Sequence, residues 1–252
     1  MTLSTHDLCV RLGDRIAIDG VTVELQPGEL TAIIGPNGAG KSTLLRAMAG
    51  LLAPSRGQVQ LDGSSLDRWE RQLRARRIGY LPQQRIVHWP LTVARTVGLG
   101  RLPHGGTSEA GTVAIERAMA EMDVAQFRDR PATELSGGEL ARVLLARVLA
   151  QDTPILLADE PAAGLDPAHQ LALLDRFAKL TQDGRTVAVA MHDLSLAARY
   201  CQRILLLKDG RVLADGTPDA VLTAPLLRTA FGIDARFAKI DGLPVVLPVA
   251  LC

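Results

Sequence analysis

Apolar positions follow two rhythms along this chain. "VTVEL" (21–25) alternates apolar and polar side chains, as a strand with one covered face does, and "GQVQLDG" (57–63) repeats that period. "LTAII" (30–34), "PILLAD" (154–159), "TVAVAM" (186–191) and "RILLLKDG" (203–210) are nearly continuous apolar runs, the pattern of strands covered on both faces. "QPGE" supplies a turn between the first two strands, and "RVLADG" (211–216) reads as the return strand of a hairpin. "KSTLLRAMAGLL" (41–52) changes to helical spacing, and "APSRG" (53–57) ends it. Buried strands alternating with helices predict an α/β protein with a mostly parallel, helix-covered sheet.

Residues 85–150 break this rhythm. They lack strand runs and are rich in Ala, Arg, Leu and Glu, as in "TVAIERAMAEMDVAQF" and "GELARVLLARVLAQD", which predicts a helical insert between the first and second buried strands. Residues 225–252 have weaker periodicity, and "GLPVVLPVALC" is either an edge strand or a tail packed on the body. The whole chain, 1–252, is expected to form one unit around this insert.

Composition narrows the classes. Lys plus Arg is 28 against 27 for Asp plus Glu, so a broad nucleic-acid footprint is not expected. The arginine-rich "RWERQLRARR" (68–77) reads as a solvated helix face. Cys9, Cys201 and Cys252 are scattered, forming neither a zinc framework nor a disulfide scaffold, which fits a reducing compartment. There is no signal-peptide pattern, and no apolar run is long enough to cross a bilayer.

The chemistry begins at "GPNGAGKST" (35–43). A buried strand, a glycine-rich turn and a helix opening on Lys-Ser is the P-loop. Gly35, Asn37, Gly38, Ala39 and Gly40 would turn their backbone N–H groups toward phosphate oxygens, which a Cβ would obstruct, with Pro36, which has no N–H, shaping the turn. Lys41 supplies a point charge for the β- and γ-phosphates, Ser42 an oxygen for Mg²⁺, and Thr43 completes the motif. "ILLADEP" (155–161) ends a buried strand in adjacent carboxylates. Neighbours on a strand point to opposite sides, so Asp159 would face the metal and Glu160 the attacking water. "LSGGE" (135–139) opens a helix with a second anion-binding nest, Ser136, Gly137, Gly138 and Glu139. One monomer has no need of two such sites, but two subunits would if each nest capped the other's γ-phosphate.

These motifs, in this order, resemble the nucleotide-binding subunit of ABC transporters over nearly the whole length. Gly35–Thr43 resembles Walker A, Gln83 in "GYLPQ" the Q-loop, Leu135–Glu139 the signature and Ile155–Glu160 Walker B. "AAGLD" (162–166), with Asp166, resembles the D-loop, and His192 in "AMHDL" the switch histidine. The signature ends in Glu where many members have Gln. The resemblance implies a P-loop NTPase core with a parallel sheet, an N-terminal antiparallel β region and a helical subdomain. It also implies a head-to-tail homodimer around two ATP molecules with Mg²⁺. Glu160 would polarise the water, His192 would hold the γ-phosphate, and Gln83 would approach Mg²⁺ and move the insert against a permease dimer. The family's adenine-stacking aromatic falls near Leu12, and no Phe, Tyr or Trp precedes Trp69, so adenine is expected to meet apolar surface or arginine, Arg11 or Arg15.

"LPQQRIVHWPLTVARTVGLGRLPH" (81–104) and "FGIDARFAKIDGLPVVLPV" (231–249) resemble the importer branch for iron–siderophore complexes, haem and cobalamin. Zinc and manganese importers share part of the pattern. His88 and His104 lack a ligand constellation and are read as structural. The resemblance places the protein on the cytoplasmic face of the membrane, with an extracytoplasmic substrate-binding protein as an indirect partner. A soluble ABC ATPase of translation or DNA repair is the rival class, but a second module and long coiled-coil insertions are both absent from this sequence.

Overall fold

The computed structural model describes residues 1–84, 86–106 and 108–252. The chain opens with β1 (Leu3–Leu12) and β2 (Arg15–Leu25), which pair antiparallel, and continues through β3 (Leu30–Ile34) and α1 (Lys41–Met48) to β4 (Arg56–Leu61) and β5 (Ser64–Ser65). Strands β2-β1-β4-β5, in that order, make an antiparallel N-terminal sheet. The composition of β1 conceals it: register shifts follow Thr5 and Leu8, and Asp7 is left-handed at φ 47°, so its apolar residues do not keep a simple period of two.

Next come α2 (Arg71–Ala75), β6 (Ile78–Leu81), α3 (Val93–Gly98), a 3₁₀ turn Leu99–His104, α4 (Glu109–Glu121) and α5 (Gly137–Ala150). Helix α2 buries none of its residues, in keeping with a solvated face. The remainder is β7 (Ile155–Asp159), α6 (Pro167–Gln182), β8 (Thr186–Ala190), α7 (Leu194–Tyr200), β9 (Arg203–Lys208), β10 (Arg211–Gly216), α8 (Pro218–Val221), α9 (Ala224–Phe231), β11 (Ile233–Ile240) and β12 (Leu243–Leu251). The central sheet runs β10-β9-β3-β8-β7-β6, parallel except for the β9–β10 hairpin. Strand β6 escapes a reading by apolar runs because it is four residues long and contains Gly79.

Every residue of β3, β7 and β8 is buried. Period-two geometry then splits each strand between two cores. Leu30, Ala32 and Ile34 face the cluster formed with α5, α6 and α7, while Ile33 faces the cluster with α1 and the N-terminal sheet. Burying each such Leu or Ile contributes about 1.5–3 kcal/mol, so the sheet is held from both sides and its carboxyl-end loops rest on a fixed base. Cys201 lies in the first cluster, where burial pushes its thiol up to about 12 and keeps it an inert apolar group.

The C-terminal segment, expected as an edge strand or a tail packed on the body, carries two strands that pair with each other. β11 and β12 form their own antiparallel hairpin, seated on α7 where Val246 N donates to Ser195 Oγ at 3.0 Å. Pro244 and Pro248 obscure the alternation in the sequence.

Candidate functional site

The phosphate-type loop sits where β3 leaves the sheet. Its glycines answer first to the protein's own backbone. Gly35 has φ 151°, and a Cβ there would lie 2.2 Å from the Leu207 carbonyl oxygen on β9. Gly40 has φ 102°, and its Cβ would meet the Ala17 carbonyl oxygen at 2.6 Å. The expectation that a Cβ would obstruct phosphate therefore needs amending at these two positions, where sheet carbonyls are the obstruction. Gly38, which has no such carbonyl against it, borders the open cleft with Asn37 and Gly40.

Helix α1 starts directly after Gly40 with no acidic residue in its first turn and no side-chain cap. Its unpaired N–H groups and positive dipole end are thus unopposed. Lys41 is 6% exposed, and its Nζ donates to the carbonyls of Gly35 at 2.8 Å and Pro36 at 3.1 Å. Burial lowers its pKa, while Glu160 and Asp159 oppose that shift. The cleft, about 280 Å³, is lined by Leu12, Arg15, Ala17, residues 37–43, Gln83 and Glu160. Arg15 Nη2 donates to Gly38 O at 3.1 Å, whereas Arg11 turns to Asp14 O, so Leu12 and Arg15 are the side chains at the expected base position.

At the end of β7 the two carboxylates diverge. Asp159 is 1% exposed, and its Oδ1 accepts from Ser42 Oγ at 3.0 Å. Burial pushes its carboxyl above the usual range, with the Glu160 charge adding to the rise and Ser42, Arg46 and Lys41 opposing it. Tyr80 also leans on it, its hydroxyl 3.5 Å from Oδ2, and Arg46 Nε reaches that hydroxyl at 3.4 Å. Tyr80 and Arg46 were not singled out from the sequence; the only signal was the Tyr inside "GYLPQ". Glu160 is left-handed at φ 50°, which turns its side chain away from Asp159's path. Its Oε2 accepts from Gln83 Nε2 at 2.8 Å and its Oε1 from His192 Nε2 at 2.6 Å. A carboxylate accepts, so Nε2 carries the His192 proton in this contact.

The second nest is built differently. Ser136 caps α5, and a capping box forms, with Glu139 Oε2 accepting from Ser136 N and Oγ, both at 2.8 Å. Those bonds hold the Glu139 carboxyl below its usual value. The acidic final position of the signature thus serves this helix start. None of Ser136–Glu139 lines the P-loop cleft. A Cβ on Gly137 would meet nothing within 4 Å, and one on Gly138 only Gly164 O at 3.9 Å. Asp166 caps α6, accepting from His169 N at 3.0 Å.

Ser42 on the cleft wall and the buried Asp159 behind it present hard oxygens 3.0 Å apart, the donor type magnesium takes when substrate phosphates supply other ligands. Among the described residues no cluster of three His, Cys, Asp or Glu could hold a metal by itself. The residues present fit a cation bound jointly by protein and nucleotide.

A P-loop opening onto a paired Asp–Glu at the carboxyl ends of a parallel sheet defines a P-loop nucleoside triphosphatase. Residues 18–163 match the ABC transporter family, and the chain belongs to it. It is similar to the hemin import ATP-binding protein HmuV of Pseudomonas aeruginosa, 44% identical over 92% of this chain and 93% of the relative. It is also similar to the cobalamin import ATP-binding protein BtuD of Halobacterium salinarum, 46% identical over 94% of this chain and 60% of the relative. A solved ATP-binding cassette in a dimeric post-hydrolysis state bound to ADP and Pi superposes with a TM-score of 0.79 at 29% identity, over 86% of this chain and 98% of that one. The chain is an ATP-binding ABC ATPase. No helix among the described residues is long and apolar enough to cross a membrane.

Proposed function

We propose that two copies of this chain clamp two ATP molecules head to tail and power import of an iron chelate, haem or a siderophore complex, or of cobalamin, through a permease dimer at the cytoplasmic face of the membrane. The observation that carries the paired site is the division of labour described above. The cleft gathers Lys41, Ser42, Gln83 and Glu160, yet the nest Ser136–Gly138 lies outside it, with glycines that the chain's own packing does not require. The cargo rests on the hemin and cobalamin import relatives. An extracytoplasmic binding protein would deliver it, and nucleic acid is not a partner.

Lys41 and the N–H groups of residues 37–43 bind the β- and γ-phosphates. Ser42, Asp159 and Gln83 would hold Mg²⁺, which when bound neutralises phosphate charge. Glu160 takes a proton from water as the water oxygen bonds to the γ-phosphorus and the bond to the ADP oxygen breaks, releasing phosphate. His192 and Gln83 aim that carboxylate, and His192 Nε2–H can pass to a γ-phosphate oxygen. The partner's Ser136, Gly137 and Gly138 close the other side, Glu139 shapes that nest, and Asp166 lies at the seam. The helical insert, 85–150, carries the docking face for the permease: an apolar groove runs past Leu91, Leu99 and Leu102. The deciding experiment is reconstitution with the candidate permease in vesicles, measuring ATP-driven haem and cobalamin uptake. Uptake of neither, with zinc or manganese transported instead, would refute the cargo.

A further inference from the structure

The turn Leu99–His104 is packed into the C-terminal end of α5 with more specificity than a connector requires. Gly100 lies so close that a Cβ there would be 2.1 Å from the Arg147 carbonyl oxygen. Arg101 is 9% exposed, and its Nη1 donates to Ala150 O at 2.8 Å and more weakly to Gln151 O at 3.4 Å. His104 Nε2 donates to Gln151 O at 2.9 Å. These carbonyls are among the last of α5, which have no partner within the helix, and a cation there also meets the negative end of the helix dipole.

The same turn reaches the core. Pro103 O accepts from Arg76 Nε at 2.7 Å and Gln72 Nε2 at 2.9 Å, both at α2. Gln151 Nε2 donates to Ala75 O at 2.5 Å and Ile78 O at 3.3 Å. Ile78 starts β6, which runs directly toward Gln83. One end of α5 is therefore stitched to the strand that delivers Gln83, and the other end carries Ser136. Fourteen helical residues span about 21 Å, so a tilt of about 5° at the stitched end displaces the other by about 2 Å.

We propose that Arg101 and His104 are positioning residues, a latch at the C-terminal end of α5 that aims the Ser136–Gly138 nest at the partner's nucleotide. This rests on the paired-site reading above. Neither residue touches ATP.

The test uses the full chain in a Glu160→Gln background, with and without Arg101→Met. ATP-dependent dimerisation is read by light scattering, and binding of a fluorescent ATP analogue is read on the monomer. Loss of a charged hydrogen bond at the latch is expected to weaken dimerisation about tenfold while analogue binding stays within about twofold. Arg101→Lys, which keeps one donor, is expected to restore most of it. Hydrogen exchange over residues 136–142 is expected to quicken in Arg101→Met with the P-loop amides unchanged. If Arg101→Met does not fold, His104→Ala carries the same measurements. Unchanged exchange over 136–142 overturns the latch, as does equal weakening of analogue binding and dimerisation. A Glu160→Gln parent that stays monomeric with ATP overturns the paired site instead, and the exchange result still decides the latch.

Discussion

The P-loop and the signature nest both open a helix with glycine and both suit an anion, yet their glycines have opposite reasons. At Gly35 and Gly40 the space of a Cβ is filled by the carbonyls of Leu207 and Ala17. At Gly137, the first residue of α5, that space is open, and Ala would be about 0.4–1 kcal/mol better through a less free unfolded chain. The first loop is shaped by its own fold. The second accepts a stability cost with no return inside the chain, which points to a contact beyond it.

Four experiments bear on this contrast. Glu160→Gln should lower ATP hydrolysis by about 10²–10⁴-fold while leaving nucleotide binding intact, checked by phosphate release and equilibrium binding. Parent-level turnover would remove Glu160 as the base. Gly35→Ala should destabilise the fold by about 2–5 kcal/mol, since it adds overpacking against β9 to an unfavourable backbone angle, and denaturant unfolding measures it. Gly137→Ala should do the reverse, raising stability by about 0.4–1 kcal/mol and Tm by about 1–4 °C. The same variant should lose turnover about tenfold or more if the partner's phosphate must approach closely; an unchanged rate would dissolve the comparison.

The smallest effect concerns Asp159. Its raised pKa means that neutral Asp159 favours the native state. That contribution is fully present below the ordinary carboxylate range and is lost as pH rises through the native value. Asp159→Asn should therefore be more stable than the parent near neutral pH without nucleotide, the gap closing as pH falls into the ordinary carboxylate range. It should also lose the Mg²⁺ dependence of ATP binding. Thermal scans across pH check the first part, and titrations with and without Mg²⁺ the second.

The sequence made some of this plain and hid the rest for physical reasons. β3, β7, β8 and β9 were legible because strands covered on both faces must be continuously apolar. β1 was not, because bulges and the left-handed Asp7 shift its register. β6 was not, because four residues with a glycine carry no period. In the site, Asp159 and Glu160 were legible as a pair, but their divergence comes from the left-handed Glu160 just past the end of β7 rather than from strand alternation. Of their partners, Tyr80, 79 residues from Asp159, was not singled out, whereas His192, 32 residues after Glu160, was named through the family resemblance but its bond to Glu160 was not. No local pattern encodes contacts that the sheet order creates.

The wedging of Gly35 against Leu207 has a mechanical consequence. A loop whose first residue has no clearance from the neighbouring strand cannot lift or swing without prising β9 from the sheet. It acts as an anvil. Any stroke that accompanies turnover is then expected from the piece hung from the opposite edge of the sheet, with the fixed side receiving the blow.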